Sequence, residues 1–481
     1  MRKLIYTAAL LCLPLCAVAE VEEIELDALR YVIDKEQGTA EVTGFTYVYN
    51  EYEYNEEAGN ITVPQSISYE GQDYTVTSIG EGAFVQEYQN FINAITLPPT
   101  IKTIKAKAFS ECYLSQPFTL PDGLETIGEE AFHAFGGQGS LTIPFSVKEI
   151  GQRAFYNCYC DTITVMCPLT SITAYAFQAC PSLSVVYLPQ TIEIIEEGAF
   201  GSCNYLRKIE LPASLKAIGK GAFAACRNGL KNITIPEGVT EIGQSAFSAC
   251  HALEAIIIPE GITAIEPSTF ADCYALKTAT LPSTLKSIGK DAFDDCLVTD
   301  LYCYAETPPY VDPYAFRYNR NYDGIENSLA VVTTVHVPES ALSKYKSYAY
   351  TPWPYSKAIV AITGFIPEPQ PEPEKCATPT ITQAGGKIHF DCETEGAQCV
   401  YKVSAKMSQD YTTGNSFFPQ SCPVTYTVTV KAQAEGYEDS DSVTQTFTLE
   451  NQTGDIDGDG ELTIGDITRL INQYLQIDGG F

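Results

Sequence analysis

The apolar residues of this chain recur at one spacing from residue 84 to residue 316. An isoleucine, or in the last unit a valine, lies five residues before each of eleven phenylalanines, and ten of these rings follow an alanine. The phenylalanines stand 22 to 25 residues apart: Phe84, Phe109, Phe132, Phe155, Phe177, Phe200, Phe223, Phe247, Phe270, Phe293 and Phe316. This period is typical of a solenoid, in which each unit buries its apolar side only against its neighbours.

The second half of each unit predicts a strand. Its pattern, Leu-x-x-Ile-x-Ile/Leu-Pro, alternates and stops at a proline, which cannot donate to a β-ladder. A glycine after the isoleucine in six units, such as Gly151 and Gly219, predicts a tight turn. The outward residue of each strand should form one exposed column: Thr96, Thr119, Thr142, Thr164, Tyr187, Glu210, Thr234, Ile257, Thr280 and Tyr302.

The repeat resembles the BspA-like class of bacterial leucine-rich repeats over roughly residues 24–362. The resemblance implies a right-handed leucine-rich repeat solenoid, mostly β with short helical turns, and a role in adhesion or in binding host proteins. Residues 30–75 and 303–362 are off the period and are similar to the N- and C-terminal caps of that family. With its caps, the solenoid is expected to occupy residues 20–362.

Four residues of the exposed column are candidate contacts for a partner. Threonine is common there because it is a good strand former. The members of the column that are not threonine are Tyr187, Glu210, Ile257 and Tyr302. The tyrosine-rich run 47–54 is a further candidate, either for stacking on a sugar or a protein or for protecting the edge of the cap.

Residues 1–19 read as a secretory signal peptide, with Arg2 and Lys3 before an apolar stretch and Ala17-Val18-Ala19 as the cleavage site. We therefore expect a secreted or cell-surface protein. The alternative is a lipoprotein acylated at Cys16, although the preceding Leu15 is bulky for that processing. No later segment is long enough and apolar enough to predict a membrane span.

Eight cysteines lie three residues after a repeat phenylalanine: Cys112, Cys158, Cys180, Cys203, Cys226, Cys250, Cys273 and Cys296. Equivalent positions stack in successive coils, and Phe135 takes this position in one unit, so we predict a buried thiol column. Disulfides are the alternative in an exported protein.

The chain carries 29 basic and 60 acidic residues, a formal charge of −31. Cleavage of the predicted signal peptide would remove Arg2 and Lys3 and take the charge to −33. Nucleic acid and anionic membranes are therefore poor partners, since both need a basic surface. Cationic proteins, calcium and neutral glycans remain as candidate partners.

A second part of the chain follows a Pro/Glu linker at residues 363–375, which alternates proline with mostly acidic residues. Residues 376–449 are rich in β-formers and resemble the Ig-like module found beside chitobiase-type domains, which implies a spacer role. Its cysteines allow three pairings: Cys376, Cys392, Cys399 and Cys422.

The tail, residues 450–481, carries the clearest metal motif. Oxygen-bearing side chains occupy loop positions 1, 3, 5, 9 and 12, and Gly460 stands at position 6, where the loop bends. The backbone carbonyl of position 7 completes the oxygen ligands, and this spacing suits Ca²⁺. The predicted ligands are Asp455, Asp457, Asp459, Glu461, Thr463 and Asp466. The loop and the amphipathic segment after it resemble one type I dockerin repeat, where a complete dockerin has two. Ile464 and Gly465 stand where dockerins carry recognition residues, so we expect calcium binding without cohesin docking.

No catalytic constellation is recognisable. The four histidines are scattered, and there is no Cys-x-x-Cys pair, phosphate-binding loop or Gly-x-Ser-x-Gly elbow. We therefore expect an exported, adhesin-like, protein-binding repeat protein of bacteria that is not an enzyme. The alternative is a non-catalytic component of an extracellular glycan-degrading assembly, recruited through the dockerin-like tail.

Overall fold

A computed structural model describes residues 21–46, 59–85, 92–137, 139–318, 328–329, 332–347, 356–362, 376–384, 387–391, 393, 398–407, 424–433, 440 and 443–449. The predicted signal peptide, the tyrosine-rich run 47–54, the whole linker at residues 363–375 and the whole predicted calcium loop lie outside these residues. The chain divides into two units, Met1–Thr363 and Gly364–Phe481.

The first unit is a mostly β solenoid of about eleven coils, and in most coils one strand comes from the Leu-x-x-Ile-x-Ile segment. These strands pair in parallel and form what we call the first ladder. Its strands are Gly59–Thr62, Ile92–Thr96, Ser140–Ile143, Thr162–Val165, Val185–Tyr187, Lys208–Ile209, Ala255–Ile257, Thr278–Leu281, Asp300–Cys303, Thr334–Val337 and Ala358–Ala361. Residues 117–120 and 232–235 keep the inward apolar residues without forming a regular strand.

The second ladder consists mostly of two-residue strands. Each strand ends at the isoleucine, or in the last unit the valine, that lies five residues before the phenylalanine, and the sequence pattern did not predict these strands. Each two-residue strand supplies one inward residue. The strands pair in parallel in three runs, which end at Glu149–Ile150, Glu241–Ile242 and Tyr310–Val311. Its strands are Gln72–Ile79, Thr103–Ile104, Thr126–Ile127, Glu149–Ile150, Ser171–Ile172, Ile194–Ile195, Ala217–Ile218, Glu241–Ile242, Ala264–Ile265, Ser287–Ile288 and Tyr310–Val311.

The third side of each coil, which we call the turn side, carries the alanine, the phenylalanine and the cysteine. The residues two before and two after the phenylalanine adopt a left-handed backbone, as at Lys107 (φ 56°) and Glu111 (φ 57°). Both donate forward to the next coil, to the carbonyls of Glu129 and His133 at 3.0 and 2.7 Å. The turn side is therefore a third set of coil-to-coil hydrogen bonds, which satisfies backbone groups that would otherwise be buried unpaired.

The phenylalanine rings stack into one column through the solenoid. From Phe84 to Phe316, consecutive ring centroids are 4.9 to 5.6 Å apart with interplanar angles of 3° to 18°. Phe45 of the N-terminal cap continues the column at 5.8 Å from Phe84. Since these rings are buried, the predicted core is confirmed.

The glycines after the isoleucine have a different cause from the one predicted. They do not adopt a positive φ; instead, a Cβ on Gly128 would lie 2.6 Å from the backbone nitrogen of Ala106 in the preceding coil. Gly151 is crowded in the same way by Glu129 and Gly128. These glycines therefore allow close approach between coils rather than a tight turn.

Both ends of the solenoid form secondary structure. At the N-terminal end the strands are Val21–Leu26, Leu29–Asp34, Thr39–Phe45 and Ser66–Tyr69, and Tyr31 is buried there. At the C-terminal end, the hairpin of Arg317–Tyr318 and Ser328–Leu329 precedes a 3-10 turn at Glu339–Ala341 and a short helix at Leu342–Ser347. Tyr345 is buried, and its hydroxyl donates to the carbonyl of Ala305 at 2.8 Å.

The described residues of the second unit form antiparallel strands, which its many β-formers favour. A hairpin of Thr380–Ala384 and Lys387–Asp391 is followed by a three-stranded meander of Gln398–Met407, Val424–Gln433 and Val443–Leu449. The Ig-like assignment of this unit stays a prediction.

Candidate functional site

The outward face of the first ladder carries the candidate contact residues on one column. Thr164 pairs with Tyr187, and the column continues at the other end through Ile257, Thr280 and Tyr302 in successive strand pairs. Every described member of the column is half-buried or exposed, whereas the residues on either side of it point into the core. The backbone therefore presents these side chains as one row along the solenoid.

Tyr187, Lys208 and Glu210 form a polar and aromatic cluster in the middle of this face. Lys208 Nζ lies 5.7 Å from the centroid of the Tyr187 ring and 3.8 Å from Glu210 Oε1. The side chain of Glu210 is 56% exposed and that of Lys208 is 27% exposed. Because the lysine is more covered than Glu210, the cluster presents an aromatic ring and a carboxylate at the surface.

Tyr302 belongs to a second cluster, which includes a residue that sequence analysis missed. The His336 ring stacks on Tyr302 with centroids 4.2 Å apart and an interplanar angle of 10°. His336 Nε2 lies 2.9 Å from Asp300 Oδ1, and Thr299 Oγ1 donates to Asp300 Oδ2 at 2.9 Å. Burial, with the nearby charge of Asp300 as a smaller cause, raises the pKa of Tyr302, so the phenol stays neutral.

Ile257 supplies an apolar position between the two clusters. It is 37% exposed and pairs with Thr280, while its neighbour Ile256 is buried. The column therefore combines an aromatic ring, a carboxylate, an aliphatic side chain and a second aromatic pair. Such a mixture is typical of a surface that binds a partner, since aromatic anchors dominate the binding energy of protein interfaces.

The repeat cysteines are part of the core and not of a reactive site. All eight are buried and carry free thiols, so the predicted burial is confirmed. The Cys180 thiol donates to the carbonyl of Phe155 at 3.2 Å, and Cys203 donates to Phe177 in the same way at 3.0 Å. Burial raises the pKa of Cys112 to about 12, which keeps that thiol protonated and unreactive at neutral pH.

One further thiol lies beside this column where one coil is a residue shorter. Cys160 takes the place that Leu183 has in the next coil, and its sulfur lies 3.3 Å from the sulfur of Cys158. Within the described part of the chain, no three His, Cys, Asp or Glu side chains are grouped to hold a metal ion. The predicted calcium ligands, Asp455 to Asp466, lie outside that part and stay a prediction.

These features define a class: an extended repeat protein whose outward sheet face offers a regular row of side chains. The family model of the BspA type leucine rich repeat region matches residues 54–184 and 170–299, just over half of the chain. The chain belongs to this family of leucine-rich repeat proteins. Within the described residues, no helix has the length and apolar character needed to cross a bilayer.

Several solved structures are similar to the chain. A leucine-rich repeat protein from Bacteroides ovatus is 24% identical, covering 71% of this chain and 100% of its own, with a TM-score of 0.42. A leucine rich cell surface protein from Faecalibacterium prausnitzii is 21% identical over 71% and 95%, with a TM-score of 0.36. The pneumococcal vaccine antigen PcpA is 17% identical over 70% and 98%, with a TM-score of 0.42. No curated protein matches the chain.

Proposed function

We propose that this protein is an exported, non-catalytic binding protein of bacteria that engages an extracellular protein through the outward face of its first ladder. The observation that carries the proposal is the exposed column from Tyr187 to Tyr302, in which aromatic, acidic and aliphatic side chains share one row. The formal charge of −31 favours a cationic partner. The predicted signal peptide at residues 1–19 favours export.

The test is a binding screen of the full-length protein against extracellular-matrix proteins at low and high salt. We expect Tyr187→Ala to weaken the binding of the partner found by about tenfold or more, as for an aromatic anchor. Glu210→Lys should slow association with a cationic partner, most strongly at low salt. Tyr310→Ala is the matched control, because Tyr310 is 65% exposed on the second ladder and its loss should leave binding unchanged.

Two results would contradict this assignment. One is retention of full binding by residues 364–481 alone, since that would place the contact in the second unit. The other is unchanged affinity in Tyr187→Ala together with a loss in Tyr310→Ala, which would move the interface to the second ladder.

We also propose that residues 455–466 bind one Ca²⁺ ion and that the Ig-like unit serves as a spacer between this loop and the solenoid. Asp455, Asp457, Asp459 and Asp466 place four carboxylates in one short loop, where they repel one another until a divalent cation neutralises them. The segment that follows is shorter than the length at which isolated helices are stable in water, so calcium should be needed to order it.

Calorimetry on the full-length protein should detect one calcium ion at low millimolar concentration or below. Asp455→Ala combined with Asp459→Ala should abolish the uptake, whereas Asp439→Ala, outside the loop, should preserve it. No calcium uptake by the unsubstituted protein would refute the site.

A further inference from the structure

Exposed tyrosines recur on every second coil at the corner where the turn side leads into the first ladder. Tyr113, Tyr159 and Tyr205 lie 46 residues apart and are 43%, 41% and 58% exposed. We call these three residues the corner row. Large aromatic side chains normally bury most of their surface, so three in line on one edge are not accounted for by packing.

The first two rings of the row form a continuous aromatic surface. Tyr113 and Tyr159 approach to 6.1 Å between ring centroids, with an interplanar angle of 57°. They meet because the coil between them has Gly136 at this position, and a Cβ there would overlap the Tyr113 ring. The glycine therefore allows two rings from alternate coils to share one exposed edge.

The phenylalanine stack defines how far apart the coils of Tyr159 and Tyr205 lie along the solenoid axis. The stacked phenylalanines between the coils of Tyr159 and Tyr205 are 5.2 and 5.5 Å apart, so these two coils advance by about 11 Å. Two sugar rings of an extended, β-1,4-linked polysaccharide have a similar length. A ligand that repeats along its own axis suits aromatic platforms carried on alternate coils.

The side chains around the row are also suited to sugar hydroxyl groups. Asp161, Arg207 and Asn228 are exposed beside it, in the coils of Tyr159 and Tyr205 and in the next coil. The C–H groups on the face of a pyranose ring are attracted to the negative face of an aromatic ring, while polar groups at the rim bind its hydroxyls. The strong negative charge of the chain disfavours anionic polysaccharides.

We propose that the corner row is a binding site for a neutral, extended, β-linked polysaccharide, with Tyr159 and Tyr205 as its central stacking platforms. The row lies at a different place on the coil from the exposed column of the first ladder. Glycan binding here and protein binding there are therefore separate properties that substitutions can distinguish.

The experiment is calorimetric titration of the full-length protein with hexasaccharides of β-1,4-linked glucose and β-1,4-linked xylose, with polygalacturonate as an anionic comparison. We expect binding to a neutral oligosaccharide, and we expect Tyr159→Ala and Tyr205→Ala each to weaken it by about tenfold. The double variant should show no measurable binding. Tyr187→Ala and Tyr310→Ala are controls that keep the affinity, and thermal melting of every variant checks that the fold is intact.

Three outcomes would overturn the proposal. The first is no binding of either neutral oligosaccharide at millimolar concentration. The second is binding that survives the double substitution in a folded variant. The third is binding that Tyr187→Ala abolishes, since the glycan would then occupy the sheet face and not the corner row.

Discussion

Replacing Phe223 by alanine tests whether the phenylalanine stack holds the coils together. The ring is fully buried, with centroids 5.6 Å from Phe200 and 5.4 Å from Phe247. Its loss removes the burial of a whole aromatic side chain and two stacking contacts. We expect the free energy of unfolding to fall by about 3–5 kcal/mol, as for buried aromatic residues replaced by alanine.

The measurement is urea unfolding followed by far-ultraviolet circular dichroism, combined with hydrogen exchange to locate the loss. In a solenoid each coil contacts only its neighbours, so protection should fall first in the coils from Phe200 to Phe247. Phe145→Ala is the matched control: its ring is 59% exposed, so the change should stay within about 0.5 kcal/mol. A loss below about 1 kcal/mol in Phe223→Ala, or equal losses in both variants, would refute the role of the stack.

Two further predictions concern the backbone and the thiols. Ser245 has φ of 57° at the position that Gly198 and Gly221 hold in nearby coils, so Ser245→Gly should raise the free energy of unfolding by about 0.5–1 kcal/mol. Ser248 lies outside the left-handed region, so Ser248→Gly should lower it. Urea unfolding measures both changes, and a loss in Ser245→Gly with a gain in Ser248→Gly would contradict this reasoning. Burial raises the pKa of Cys112 from 9.0 to about 12, so its contribution to stability is complete below pH 9 and is lost as the pH rises toward 12. The urea midpoint should therefore fall between pH 9 and 11, and less steeply in Cys112→Ala; an identical slope in that variant would show that the thiol does not contribute.

The inward residues of the solenoid could be predicted from the sequence because burial imposes a residue type at a fixed spacing. The exposed column could be predicted for the same reason, since each of its members lies between two inward residues. The second ladder could not, because a two-residue strand such as Thr126–Ile127 supplies one inward residue and so produces no alternation.

The left-handed backbone of the turn side could not be predicted from the sequence either. Many of its residues are not glycine, for example Lys107, Arg153 and Asp291. His336 was missed because it follows Tyr302 by 34 residues and so is off the repeat period. The alternation of Val335, His336 and Val337 was the signal that could have placed it on the same column as Tyr302.

The direction of the bonds between coils determines how the solenoid would respond to a pulling force. Both ladders, the turn-side hydrogen bonds and the phenylalanine stack all join one coil to the next along the axis. A force applied at the two ends therefore acts equally on every junction between coils, and a terminal coil opens first because it is held by only one neighbour. Each coil that opens releases 22 to 25 residues, a contour of about 80 Å at roughly 3.3–3.6 Å per residue. A protein built in this way lengthens under tension in steps of one coil at a time.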